Sequence, residues 1–152
     1  MSVIDTLITD RTQEDVDALK RLLADGINPA DHKGAYNASD LNRVGMAVNY
    51  LVPLLDSIGI HVGINCKTDW TVSDIPRQGE MEYYLYSVQT IRGKIIDYRL
   101  DENLPESMRF LNFLGANEIE KILAECDIVV MRVILSYRGY SGRLRAGVNI
   151  LP

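Results

Sequence analysis

Apolar residues recur along this chain at the helical interval of three and four. Val16, Leu19, Leu22 and Leu23 form one stripe, with Glu14, Asp17, Lys20 and Arg21 left to water, which predicts a surface helix docked by one side. Thr12 is placed to cap its free N–H groups with Asp15 three residues on, and Gly26 to stop it. After a loop through Asn28-Pro29 and His32-Lys33-Gly34, Asn37 or Ser39 caps a second helix. Its seam is Leu41, Val44, Val48, Leu51, Leu55 and Ile58, at spacings of 3, 4, 3, 4 and 3. Pro53 lies inside that run and predicts a kink near Asn49 or a change of helix direction.

The period then changes. Ile60, Val62, Ile64 and Cys66 alternate with His61, Gly63, Asn65 and Lys67, which predicts a short strand. Asp69-Trp70-Thr71 follows, with Thr71 and Asp74 placed as a cap, Trp70 placed to staple onto Ile75, and Pro76 suited to a first helical turn. Met81, Tyr84, Val88, Ile91 and Ile95, widened by Leu85, make a third seam. A polar connection over residues 97–105 leads to a fourth, Ile119, Ile122, Cys126, Val129 and Val133. From Ser136 onward glycines and alternating side-chain types predict a β-hairpin around Ser141-Gly142. The fold class expected is mainly α: an antiparallel helical bundle with coiled-coil-like seams, one short strand and a C-terminal β-hairpin. Residues 1–152 form a single domain, 1–135 the bundle and 136–152 the hairpin tail.

Composition narrows function more than fold. A chain of 152 residues fits one domain, and a net charge of −5 disfavours a domain built to neutralise nucleic-acid phosphates. The opening Met1-Ser2-Val3-Ile4-Asp5-Thr6 lacks the pattern of a secretion signal and no stretch is long enough to span a membrane, so a cytoplasmic chain with Cys66 and Cys126 reduced is expected. His32, His61, Cys66 and Cys126 lack the close spacing of a metal site, so neither metal nor cofactor is expected.

Glu80, Glu82, Glu118, Glu120, Glu125 and Asp127 fall on predicted polar helix faces and read as solvated charges rather than paired catalytic acids. Gly139-Tyr140-Ser141-Gly142 is one residue short of a nucleophile elbow, and no glycine-rich phosphate loop occurs, so no catalytic residue is assigned and no enzyme is expected. Arg132, Arg138, Arg143 and Arg145 stand with no acid between Arg132 and Pro152, interleaved with Tyr137 and Tyr140. Such residues serve stacking on nucleic acid or anchoring in a protein interface, and the acidic chain favours the interface. Tyr83 and Tyr86, off the third seam, join Tyr137, Arg138, Tyr140, Arg143 and Arg145 as the expected partner-binding set.

Asp10-Arg11-Thr12-Gln13-Glu14-Asp15-Val16, the run from Lys33-Gly34-Ala35-Tyr36-Asn37 to Val44, Lys67-Thr68-Asp69-Trp70-Thr71 with Asp74-Ile75-Pro76, and Ala116-Asn117-Glu118-Ile119-Glu120-Lys121-Ile122-Leu123 occur together in this order. As a set they resemble a helical module of phage tail and minor structural proteins from prophages of Gram-positive bacteria, and the glycine- and tyrosine-rich ending is similar too. The resemblance implies a non-enzymatic, tail-associated assembly module whose partner is itself, as a homo-oligomer, or another tail protein. It implies a place in the host cytoplasm during assembly and then in the virion tail. The alternative is a small phage-encoded binding protein that sequesters a host factor or small ligand.

Overall fold

A computed structural model describes residues 1–95 and 103–150, with side chains through Gly139. A 3-10 turn at Ile4–Thr6 precedes four helices: α1 (Gln13–Ala24), α2 (Ala38–Ser57), α3 (Gln78–Lys94) and α4 (Phe113–Ile150). The first two begin as their sequences dictate. Thr12 and Asp15 close a reciprocal capping box on α1, and Asn37 and Asp40 close another on α2. Gly26 follows α1 with a positive φ of 75°, the left-handed stop that favours glycine. α2 is one unbroken helix with Pro53 inside it.

The core is made by three of these helices. Val44, Val48, Leu51 and Leu55 of α2, Leu85, Val88 and Ile91 of α3, and Ile119, Leu123 and Cys126 of α4 are all but sealed from solvent. At about 1.5–3 kcal/mol for each large aliphatic side chain, this burial dominates the favourable side of folding. Ile58 and Met81, at the ends of the second and third seams, are half-buried. On α4 the buried apolar residues are Ala116, Ile119, Ile122, Leu123, Cys126, Val130 and Ile134. Val133 is therefore not a core position: the stripe drifts as a straight helix of period 3.6 departs from a strict heptad. α1 contributes no fully buried residue, and Leu23, expected on its docked side, is 48% exposed.

The three core helices run in the same direction, which corrects the antiparallel expectation. Arg43 of α2 meets Glu120 of α4, and seven residues further along each helix Tyr50 meets Asp127. On α3, Cys66 links Asn49 to Ser87, while nearer the helix starts Trp70 links Asn42 to the groove lined by Met81. The reason is the length of the connection. Residues 58–77 are too many for a turn, and extended chain covers the roughly 30 Å of a 20-residue helix in about nine residues. Ile60–Trp70 runs back along α2 as an extended strap, its burial alternating residue by residue with Ile64 and Cys66 inward.

No strand is present among the described residues, so the predicted short strand is corrected to this strap. Its period of two is real, but its hydrogen-bond partners are side chains. Asn49 donates from Nδ2 to the Cys66 carbonyl at 2.8 Å and accepts from the Cys66 N–H at 2.8 Å. Asn42 does the same for Trp70, at 2.8 and 2.7 Å. Each amide thus supplies the donor and acceptor that a neighbouring strand would have offered. Between them Gly45 lets the strap touch α2, since a Cβ there would stand 2.6 Å from the Lys67 carbonyl oxygen.

The first residues form a second strap, running against α4. Ile8 N–H donates to Glu120 at 2.6 Å, and Asn117 grips Arg11 by its N–H at 3.0 Å and its carbonyl at 2.9 Å. The Thr71–Asp74 cap forms a turn rather than a helix start, and Ile75 is 90% exposed, so the expected staple to Trp70 is absent. The predicted connection at 97–105 falls partly outside the described residues.

The hairpin around Ser141-Gly142 is corrected as well, because α4 continues as one helix to Ile150. Ser-Gly lacks the strong turn preference of Asn-Gly or Asp-Gly, no proline interrupts the run, and the three-and-four spacing of Cys126, Val130 and Ile134 carries on to Tyr137. The glycines weaken this helix by about 1 kcal/mol each without ending it.

Candidate functional site

Four charged side chains from three segments meet under the N-terminal strap. Arg11 is 4% exposed, Asp40 3% and Glu120 0%, and Arg43 lies beside them. Arg11 Nη2 donates to Asp40 at 2.7 Å and to Glu120 at 2.6 Å. Arg43 donates from Nε and Nη2 to the two oxygens of Glu120, at 2.9 and 3.0 Å, and also to Asp40. Two guanidiniums against two carboxylates leave the cluster neutral, the condition under which burying charge is tolerable. Burial works against the Arg43 charge, but its hydrogen bonds and attraction to Glu120 and Asp40 outweigh that and hold its proton more tightly than usual. Glu120 is thus not the solvated helix-face residue expected from its pattern. Sequence periodicity missed it because its mate, Arg11, lies 109 residues away.

The cluster joins α2, α4 and the strap, and its Asp40 and Arg43 also line a recess of about 480 Å³ with Asp10, His32 and Lys33. Beside it the hydroxyls of Tyr36 and Tyr84 share a 2.6 Å hydrogen bond, and burial pushes both phenols well above their ordinary range. Burial also raises the Cys66 thiol and pushes Cys126 up to about 12, so both sulfurs stay protonated and weakly nucleophilic. The two histidines are apart from them: His32 Nδ1 accepts from Gly34 N–H at 3.0 Å, and His61 pairs with Asp56. Among the described residues no group of three or more His, Cys, Asp or Glu gathers to hold a metal, and no helix is long and apolar enough to cross a membrane. Glu80 accepts from the Arg77 N–H at the start of α3, and Glu82 binds Ser107 and Met108.

The surfaces left open are of two kinds. Beyond Ile134, which is 8% exposed, residues 135–139 are all exposed. α4 is 38 residues long, roughly 57 Å, and its last part leaves the body. Tyr137 is 71% exposed there and Val133, one turn earlier, 44%, with Arg132 and Arg138 beside them. A second exposed line, Ile128 and Leu135, runs along another face of the same helix.

Of the expected partner-binding set, Tyr137 and Arg138 are on this projecting end. The side chains of Tyr140, Arg143 and Arg145 lie outside the described residues. Tyr83 and Tyr86 are exposed on α3 with ring centroids 6.2 Å apart, the first in the opening half of that helix and the second at its midpoint, away from the projecting end of α4. The structure does not bring the two groups together.

At the end of the body opposite that projection an apolar groove of about 620 Å³ opens between α1 and the Trp70 turn, lined by Leu19, Leu23, Tyr36, Trp70, Val72 and Met81, with Asp74 on its wall. Two of its lining residues stand open to solvent, Val72 at 85% and Leu23 at 48% exposure. On the far side of Trp70 a smaller recess of about 290 Å³ is lined by Glu80 and Tyr83, and Lys67 Nζ caps the indole face at 4.1 Å. The pattern of apolar positions alone did not reveal the groove, because it arises where α1 fails to cover the ends of α2 and α3.

Charge divides along the chain as well. Residues 1–131 hold twelve basic and twenty-one acidic side chains, net −9, whereas from Arg132 on there are four arginines and no acid, net +4. No known protein family, curated protein or solved structure matches the chain.

Proposed function

We propose that this protein is a non-enzymatic component of a phage tail, an assembly module that binds itself or another tail protein through exposed helical faces. On this reading it is made in the host cytoplasm and carried into the virion tail. The supporting observation is the end of α4, where an amphipathic helix leaves the body with Val133 and Tyr137 exposed between Arg132 and Arg138. Aromatic and arginine side chains of this kind anchor protein interfaces. The most buried ionisable cluster, by contrast, pairs its charges internally and holds α2, α4 and the N-terminal strap together.

The test is binding of the full chain to purified tail proteins encoded beside its gene, followed by interferometry. Arg138→Ala with Arg143→Ala is expected to weaken that association while leaving helical content unchanged. Loss of the fold instead would make the segment part of the core architecture. A strictly monomeric protein with no affinity for tail components would refute the proposal. The ligand-sequestering alternative rests on the Trp70 groove, whose volume is within the range of small-molecule sites. A small molecule retained in native mass spectrometry would favour it.

A further inference from the structure

The two open surfaces are complementary in chemistry and stand at opposite ends of the body. Helix-in-groove recognition seats apolar side chains one turn apart in an apolar channel, with charges matched at its margins. Val133 and Tyr137 are four residues apart on the projecting helix, with Arg132 and Arg138 beside them. The groove offers Trp70, Val72 and Leu23 as its apolar lining, with Asp74 on its wall, paired there with Lys67 at 3.6 Å, and Glu80 across the indole.

Taking the assembly reading as its premise, we infer that the partner is a second copy of this chain: the projecting end of α4 from one molecule docks in the Trp70 groove of the next. Charge selects this occupant over the obvious rival. Pairing two projecting ends would bring two +4 segments together, whereas docking one on a body of net −9 joins opposite signs. Because donor and acceptor surfaces differ and lie at opposite ends, the contact is heterologous, and successive copies add head to tail into a chain or a ring.

Sedimentation of the full-length protein across a wide concentration range, in low and high salt, tests this. The wild type is expected to gain mass with concentration and to lose association in high salt. Val72→Lys with Leu23→Lys blocks the groove at two exposed lining positions, and Arg132→Glu with Arg138→Glu reverses the tail. Each double variant is expected to weaken association by roughly tenfold or more, with circular dichroism confirming an intact fold. Each retains the surface that the other lacks, so an equimolar mixture is expected to form a 1:1 dimer that grows no further.

Several results overturn the inference: a wild type monomeric throughout, groove variants that associate as well as wild type, a mixture that stays monomeric, or association that disappears with nuclease. A monomeric wild type that still binds a tail component through Arg132 and Arg138 would remove this inference and leave the assembly reading standing. One that binds no such component would remove both.

Discussion

Replacing Glu120 by alanine is the sharpest perturbation available. Its carboxylate accepts four hydrogen bonds, from Ile8 N–H, Arg11 Nη2, and Nε and Nη2 of Arg43, while fully removed from solvent. Truncation leaves two guanidiniums facing one carboxylate and orphans the strap's N–H. Removing one partner of a buried ion pair costs about 3–5 kcal/mol. For a domain of 152 residues this corresponds to a fall in Tm of roughly 6–20 °C, and it consumes a large share of a total stability of about 5–15 kcal/mol. Thermal and urea unfolding followed by circular dichroism measure it directly. The companion variant Arg11→Met with Glu120→Met leaves Asp40 and Arg43 as a neutral pair and is expected to recover much of the loss. A Glu120→Ala cost below about 1 kcal/mol, the value of a solvated surface charge, would refute the account of the cluster.

Asn49→Ala removes both hydrogen bonds to Cys66 and leaves that peptide without its donor and acceptor partners, so a loss of about 2 kcal/mol is expected. Faster amide exchange at Cys66 would locate the loss in the strap, and unchanged exchange would contradict it. Gly45→Ala is expected to destabilise, since its Cβ meets backbone at 2.6 Å, whereas Gly139→Ala meets nothing and is expected to stabilise the end of α4 by up to about 1 kcal/mol; equal effects in parallel melts would dismiss both contacts. At Asp127, burial and then Asp5 raise the carboxyl pKa against the lowering effect of the Tyr50 hydrogen bond, and Oδ1 has no partner. The folded state therefore binds this proton more tightly than the unfolded one, so the contribution of Asp127 to stability rises as pH falls through its raised pKa and is lost above it. Asp127→Asn is accordingly expected to stabilise at neutral pH and flatten that part of the stability profile; a destabilised variant would reverse the sign.

The seams of α2 and α3 were legible because their apolar residues meet one another with little interruption, and the caps at Thr12 and Asn37 because capping is a local contract between residues three apart. The relative direction of the helices was not legible from the seams, which look the same in either orientation. The length of residues 58–77 carried that information. The period of two at Ile60–Cys66 marks extended chain but does not show that its pairing comes from the side chains of Asn42 and Asn49 rather than from a neighbouring strand. Those two, with Gly45 between them, form a neutral polar line at helical spacing beside the seam, a signal that a purely apolar template ignores. At the C terminus the glycines of residues 139–147 outweighed a three-and-four pattern already running through Cys126 and Val130. Of the expected site residues Tyr83, Tyr86, Tyr137 and Arg138 are exposed, but the groove needs the incomplete cover of α1, which only tertiary packing reveals.

The strap's contacts with α4 also set a schedule for the chain's birth. Arg11 finds its partner 109 residues later, and Ile8 finds the same carboxylate 112 residues later. At about 5–20 residues per second, the interval on a ribosome is roughly 5–20 s. In that time α2 and α3 can pair, but the N-terminal segment has no seat and one guanidinium has no mate. Completion of the body is thereby tied to synthesis of the helix that also bears the proposed docking end, so a nascent chain acquires its stability and its capacity to associate together.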